Sequence, residues 1–172
     1  AEFYPIDGVT TNPSILAKNR RAPYEVLTEI QEIMGKEKEI HVQVISQDAE
    51  GMVKEAYAIV KRLGEGTYIK IPSTEEGLKA IRILSEKGIH TTATAIYTPM
   101  QAFLAGKSGA DYAAPYINRI DNLGANGVET AKTIHDIFRN NGLKTNVLAA
   151  SFKNSQQIQE LCKYGIGAVT AG

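Results

Sequence analysis

Short runs with alternating apolar and polar positions follow one another along the chain, separated by longer amphipathic runs. The short runs are rich in β-branched residues and predict strands, because strand side chains alternate between two faces. These predicted strands span residues 7–11, 40–45, 67–73, 91–97, 112–117, 146–151 and 167–170. The longer runs repeat apolar positions three and four residues apart, which predicts helices over 23–34, 49–63, 75–87, 99–107, 127–140 and 155–164. The stretch Asn12-Pro13-Ser14 predicts a turn.

Strand-helix alternation of this kind implies parallel strands joined by right-handed crossovers. A closed (β/α)₈ barrel and an open doubly wound sheet both satisfy it. No glycine-rich dinucleotide fingerprint follows a strand, which weakens the case for the doubly wound sheet. Polar side chains instead mark the carboxyl ends of most strands, where barrel active sites are built: Asn12, Gln43, Lys70, Thr94, Tyr116, Arg119 and Ser151.

We therefore predict an α/β fold, a (β/α)₈ TIM barrel forming one domain over residues 1–172. Only seven strands are predicted, one short of closure, and the chain opens directly on one of them. The sequence is interpreted as a partial record of a longer chain, without the first strand and helix and without the final helix of the barrel.

Composition excludes several classes of function. The 172 residues are 43% hydrophobic, and 19 basic residues balance 19 acidic ones, so the chain has no basic tract for nucleic acid. No apolar run approaches the ~20 residues of a membrane span. A single cysteine, Cys162, excludes a disulfide framework and is expected to fill space on a buried helix face. Together these features predict a soluble, cytoplasmic protein. Three scattered histidines and the one cysteine give no metal-ligand spacing, so we expect neither a metal nor a cofactor.

Lys70 is the most informative single residue. In the predicted strand, Ile69 and Ile71 point one way, while Tyr68, Lys70 and Pro72 point the other. If the isoleucines pack beneath helices, the lysine enters the interior, where burial lowers the pKa of its amine. A neutral amine is a nucleophile that forms Schiff bases with carbonyl compounds. The alternative is a lysine that reaches solvent at a strand end or pairs with a carboxylate.

Four stretches together resemble the transaldolase family, and in particular its small branch of fructose-6-phosphate aldolases and transaldolase-like proteins. They are Gly8-Val9-Thr10-Thr11-Asn12-Pro13-Ser14, Ile69-Lys70-Ile71-Pro72, Ala114-Pro115-Tyr116-Ile117-Asn118-Arg119-Ile120-Asp121 and Leu148-Ala149-Ala150-Ser151-Phe152-Lys153. The resemblance covers essentially the whole chain. It implies a (β/α)₈ barrel, metal-free class I aldol chemistry and a Schiff-base lysine that matches Lys70.

The resemblance also implies a catalytic group beside that lysine. Gln43 occupies the position of a glutamate in transaldolases proper, and an amide there can orient a water but cannot take its proton. Thr94 is implied to hold the catalytic water, and Tyr116 to hydrogen-bond the water that hydrolyses the intermediate. Without the resemblance, β-propensity alone would explain Thr94, and Tyr116 would be interpreted as an aromatic residue of the core.

The remaining matched residues are implied to bind substrate. Asn12 binds a hydroxyl near the carbonyl carbon, and Ala114 lines the pocket. Arg119, Ser151 and Lys153 hold the sugar phosphate. Read without the resemblance, Asn12 is a turn residue, Arg119 pairs with Asp121 on the surface, and Lys153 is a solvated loop residue.

These roles lead to a Schiff-base aldolase that interconverts fructose 6-phosphate with dihydroxyacetone and glyceraldehyde 3-phosphate. A transaldolase of the pentose phosphate pathway is the first alternative. A catalytically silent phosphosugar-binding barrel is the more distant one, since the family's proton-transfer aspartate lies on a strand that would precede this sequence and Asp7 does not match it. The resemblance further implies a ring-built homo-oligomer, such as a decamer.

Overall fold

A computed structural model describes residues 5–18, 20–35 and 37–172. Its strands are β1 (Gly8–Thr10), β2 (Glu39–Gln43), β3 (Thr67–Pro72), β4 (Thr91–Ile96), β5 (Tyr112–Pro115), β6 (Asn146–Ala149) and β7 (Gly167–Val169). Its helices are α1 (Pro13–Lys18), α2 (Pro23–Met34), α3 (Ala49–Leu63), α4 (Glu75–Glu86), α5 (Pro99–Lys107), α6 (Ile117–Asn122), α7 (Gly127–Asn140) and α8 (Ser155–Tyr164).

The strands form one parallel sheet in the order β1-β2-β3-β4-β5-β6-β7. The sheet curls so strongly that its two edge strands approach each other at their carboxyl ends, where the hydroxyls of Thr10 and Thr170 are hydrogen-bonded at 2.8 Å. A doubly wound sheet has a switched strand order and distant edges. The curled sheet with sequential strands is the architecture of a (β/α)₈ barrel, so the predicted fold class is confirmed.

The apolar core lies between the sheet and the surrounding helices. Ile69 and Ile71 of β3 are both 0% exposed, whereas Lys70 between them is only partly buried. The same layer contains Met52, Ala56, Ile59, Ala80, Ile81, Leu84, Ala93, Ile134, Phe138, Val147 and Leu161. Burying this apolar layer stabilises the fold and turns the alternate side chains of each strand toward the barrel interior.

One close approach fixes the strand that carries Lys70. The amino end of α4 lies so near the end of β3 that a Cβ on Gly77 would overlap the carbonyl oxygen of Pro72. Thr74 caps this helix by accepting from the Gly77 N–H at 3.1 Å. Any larger residue at position 77 would push α4 away from β3.

The structure differs from the sequence prediction at two short helices. Residues 12–14 were expected to form only a turn, but Pro13 begins helix α1, and Asn12 accepts from the Ile15 N–H at 2.9 Å. Ile117 was expected to end a strand but begins α6, because its N–H is donated to the Ala150 carbonyl at 2.9 Å. Both segments directly follow strands, where polar side chains and backbone groups of neighbouring strands satisfy the first helical turn.

The prediction for Cys162 was wrong. The thiol residue is exposed on α8, while its neighbour Leu161 is 0% exposed and faces the core. One residue along a helix is a rotation of about 100°, which takes position 162 off the buried face.

None of the helices in the described residues combines the length and the hydropathy that a membrane-spanning segment requires.

Candidate active site

Lys70 lies inside the barrel as its strand alternation predicts. Its side chain is partly buried, and its Nζ donates to the backbone carbonyl of Thr11 at 2.6 Å. Burial lowers the pKa of the Lys70 amine from 10.5 to about 8. Roughly a tenth of the amine is therefore neutral at pH 7, against less than a thousandth for an ordinary lysine.

A cavity of about 480 Å³ opens at the carboxyl ends of the strands around this amine. It is lined by six of the predicted site residues, all within the described part of the chain: Asn12, Gln43, Lys70, Tyr116, Arg119 and Ser151. These residues come from the ends of five strands, β1, β2, β3, β5 and β6, that are far apart in sequence. The curl of the sheet brings them together.

Gln43 is the register partner of Lys70 on the neighbouring strand, so both side chains point into the interior side by side. Asn12 lies on the next strand end, and its side-chain oxygen caps α1 by accepting from the Ile15 N–H. That bond fixes the amide group and leaves its Nδ2 as the donor that can face a ligand. The turn role and the binding role of Asn12 are therefore compatible.

Tyr116 and Arg119 form one cluster at the rim. The guanidinium carbon of Arg119 lies 4.7 Å from the centre of the Tyr116 ring, and Tyr97 meets the same ring edge-on at 5.7 Å. A hydrogen bond with Tyr97 raises the pKa of Arg119, which therefore stays charged. Asp121, the alternative partner of Arg119, instead accepts from Gly127 N–H and from the Gln157 amide. Tyr97 had no predicted role.

Ser151 has a left-handed backbone conformation, with φ at +62°. Such a conformation is uncommon for serine and is held here by neighbours. The Ser151 carbonyl accepts from the Asn118 N–H at 2.7 Å, and the adjacent Ala150 N–H donates to Pro115 at 3.0 Å. Strain of this kind collects where side chains are aimed at a ligand.

Three predicted residues do not line the cavity. Thr94 is 1% exposed beside an irregularity of β4, where Ala95 has φ at +55° and the pairing with β5 shifts. Ala114 is 3% exposed on β5. Lys153 is exposed on the loop before α8, where its N–H donates to Gln157 at 2.8 Å. The roles of all nine residues remain predictions.

A second layer of interior polar side chains, which the sequence did not single out, lies toward the amino ends of the strands. The rings of His41 and His90 stack on the two faces of Tyr68, with centres 4.7 and 4.8 Å away. The carboxylate of Glu39 contacts both His41, at 3.2 Å, and the Tyr112 hydroxyl, at 3.2 Å. Glu39, His41 and Tyr112 of this layer also line a second cavity, of about 780 Å³, toward the amino ends of the strands.

A family model for Transaldolase/Fructose-6-phosphate aldolase matches residues 1–172. The chain belongs to this family. It is 42% identical over 173 residues to a probable fructose-6-phosphate aldolase of Streptococcus pneumoniae, an alignment that covers 100% of the chain and 78% of that relative.

Two further family relatives are named probable transaldolases. One, from Coprothermobacter proteolyticus, is 39% identical over 169 residues, which is 98% of the chain and 76% of the relative. The other, from Methanococcus vannielii, is 43% identical over 165 residues, which is 96% of the chain and 75% of the relative. The resemblance found in the sequence is thereby confirmed at the level of the family.

The lowered pKa of Lys70 predicts a pH dependence of stability. The unfolded chain holds the Lys70 proton up to about pH 10.5 and the folded chain only to about pH 8, so the unfolded state binds more protons between these values. Stability attributable to this residue should rise across that window by about 2 kcal/mol. Urea unfolding at pH 8 and pH 10 tests this as the difference between wild type and Lys70→Met. Contributions from Tyr68 and Tyr112 cancel in that difference, and equal pH slopes would contradict the assigned shift.

Proposed function

We propose that this protein is a Schiff-base aldolase that interconverts fructose 6-phosphate with dihydroxyacetone and glyceraldehyde 3-phosphate. The observation that carries the proposal is the interior amine of Lys70, with its pKa of about 8, opening into a polar cavity. Family membership supports the same reaction class. No metal is needed for this chemistry, because the iminium itself is the electron sink.

The proposed reaction begins at the Lys70 amine in the cavity. Neutral Lys70 attacks the C2 ketone and water leaves, which gives an iminium. The C3–C4 bond then breaks as its electron pair moves toward the iminium nitrogen, and glyceraldehyde 3-phosphate departs. The C4 hydroxyl gives its proton to a water molecule as it becomes the aldehyde. The remaining three-carbon enamine is protonated at carbon and hydrolysed to dihydroxyacetone, which regenerates the amine.

Side chains around Lys70 divide the remaining tasks. Asn12 donates a hydrogen bond to a hydroxyl beside the carbonyl carbon. Gln43 and Tyr116 orient the hydrolytic water, and the Thr94 hydroxyl holds it. Arg119, with Ser151 and the loop residue Lys153, binds the phosphate, and a planar guanidinium suits two phosphate oxygens at once.

The alternative in the same family is transfer of the dihydroxyacetone unit to an aldose phosphate. The names of the two probable transaldolases at about 40% identity favour it. Gln43 favours the aldolase, because an amide beside the amine cannot act as the base that a glutamate would supply. Tyr116 favours it as well, because a phenol can hold the water that releases the product.

Product analysis separates these functions. Fructose 6-phosphate alone should give free dihydroxyacetone and glyceraldehyde 3-phosphate, and adding erythrose 4-phosphate should change the rate little. A strict requirement for erythrose 4-phosphate would identify a transaldolase. Absence of turnover with both, together with binding of fructose 6-phosphate, would identify a silent sugar-phosphate barrel.

Tyr116→Phe is expected to raise the ratio of transfer to hydrolytic release by about tenfold, the effect of losing one hydrogen bond to the reacting water. The ring contacts with Arg119 and Tyr97 are retained, so the cluster should keep its shape. The ratio of transfer to hydrolytic release is measured in water with erythrose 4-phosphate present, so that both acceptors compete for the intermediate. Tyr57→Phe, on the exposed face of α3, is the matched control. An unchanged ratio in Tyr116→Phe would show that the phenol does not hold the water.

A further inference from the structure

A short series of hydrogen bonds holds the Lys70 amine. Lys70 Nζ donates to the Thr11 carbonyl at 2.6 Å. Thr11 in turn donates twice to the His41 carbonyl, from its N–H at 2.9 Å and from its side-chain hydroxyl at 2.9 Å. Thr11 is 2% exposed, so water does not compete for these bonds. Two hydrogen bonds therefore hold Thr11, whose carbonyl faces the amine, against β2.

The residue that anchors Thr11 is itself immobilised. His41 Nδ1 shares a hydrogen bond with the Thr92 hydroxyl at 2.8 Å, and its Nε2 faces the Glu39 carboxylate at 3.2 Å. Its ring stacks on Tyr68. Thr92 is also the register partner of Lys70 on β4. The hydrogen bonds that begin at Lys70 therefore end on a residue paired with Lys70 in the sheet. This closed arrangement keeps the Thr11 carbonyl in one place.

The chemistry at Lys70 leaves one N–H to be accepted. A neutral amine carries two N–H groups and one lone pair. In condensation with a ketone the lone pair forms the N–C bond, and the carbonyl oxygen leaves as water with one amine hydrogen and one added proton. The iminium nitrogen keeps a single N–H and a positive charge. An oxygen that accepts this N–H makes a charge-assisted hydrogen bond, roughly twice as strong as a neutral one.

We propose that the Thr11 carbonyl, locked by its own hydroxyl onto the His41 carbonyl, accepts the iminium N–H formed at Lys70. Thr11 is thus a positioning residue of the reaction, and this inference rests on the proposed Schiff-base function. Holding one N–H also restricts the lone pair of the free amine to two directions, which reduces the number of unproductive orientations before attack on the carbonyl carbon.

Thr11→Val tests the lock, because valine keeps the side-chain shape and removes the hydroxyl. We expect kcat and the fraction of Lys70 trapped by borohydride with dihydroxyacetone each to fall about tenfold, since a small misplacement of a reacting group is costly. KM should stay within about twofold of wild type. Thr11→Ser, which retains the hydroxyl, should restore most of both.

Thr145→Val is the matched control. Thr145 is 6% exposed, and its hydroxyl donates to the Ala110 carbonyl at 2.7 Å near the amino end of β6, away from the cavity. Both valine variants lose one buried hydroxyl-to-carbonyl bond and should lose similar stability in urea unfolding. Only Thr11→Val should lose imine formation.

Acetic anhydride labelling of Lys70 across pH, read by peptide mass mapping, gives a readout independent of turnover. A weaker bond to the carbonyl disfavours the ammonium, so the labelling midpoint should move down by about half a pH unit in Thr11→Val and stay fixed in Thr145→Val. If wild type forms no imine, the proposed function fails while this midpoint still tests the carbonyl contact. Indistinguishable behaviour of the two valine variants in trapping and labelling would overturn the inference.

Discussion

Replacing Lys70 with methionine is expected to lower kcat for fructose 6-phosphate cleavage by at least about a thousandfold, because among the described residues no other lysine lines the cavity to form the covalent intermediate. Methionine has a similar length, and an apolar side chain suits a partly buried position, so the variant should fold. Activity is measured by coupled detection of glyceraldehyde 3-phosphate, with circular dichroism to check the fold.

Lys61→Met, at the exposed last turn of α3, is the control and should retain full activity. Turnover by folded Lys70→Met at more than about a tenth of the wild-type rate would remove Lys70 from the mechanism.

Arg119→Ala is expected to lower kcat/KM for fructose 6-phosphate by about a hundredfold, the usual effect of losing a charged hydrogen-bond partner of an anion. Imine formation with unphosphorylated dihydroxyacetone should change by less than about twofold, because Lys70 and Gln43 are untouched. The comparison of the two substrates therefore isolates the phosphate contact from the chemistry.

Arg62→Ala provides a control with the same kind of side-chain contact. Its guanidinium lies 4.9 Å from the ring centre of Tyr24, away from the cavity lining, so its loss removes a similar cation–π pair. Equal losses for the phosphorylated and unphosphorylated substrates in Arg119→Ala would contradict a phosphate role.

Residue periodicity was sufficient for the fold because the two faces of each strand meet different surroundings. Ile69 and Ile71 pack under helices, and Lys70 between them therefore had to enter the barrel. The bounds of α2, α5 and α7 were predicted without error because Pro23, Pro99 and the pair Asn141-Gly142 mark their ends.

Periodicity failed where tertiary contacts outweigh it. Helix α6 starts at Ile117 because the Ala150 and Ser151 carbonyls from the next strand accept its first N–H groups. The local sequence around Ile117 does not indicate these hydrogen bonds, because their acceptors lie more than 30 residues further along the chain. The apolar spacing along α8 also did not distinguish the buried position of Leu161 from the exposed position of Cys162, one residue further on.

The candidate site was predicted unevenly for a related reason. Side chains that line the cavity, such as Lys70 and Tyr116, belong to motifs that can be recognised in the sequence. The contact of Thr11 with Lys70 goes through a backbone carbonyl, which every residue type has, so it leaves no mark in the sequence. His41 was missed because its ring contacts come from β3 and β4.

Borohydride reduction in the presence of dihydroxyacetone, followed by peptide mass mapping, tests the central claim most directly. A neutral amine inside the barrel should yield one modified peptide, with the three-carbon adduct on Lys70 and labelling that increases from pH 6 to about pH 8 as the amine loses its proton. An unmodified Lys70 in protein that still turns over fructose 6-phosphate, or an adduct spread over surface lysines, would contradict it.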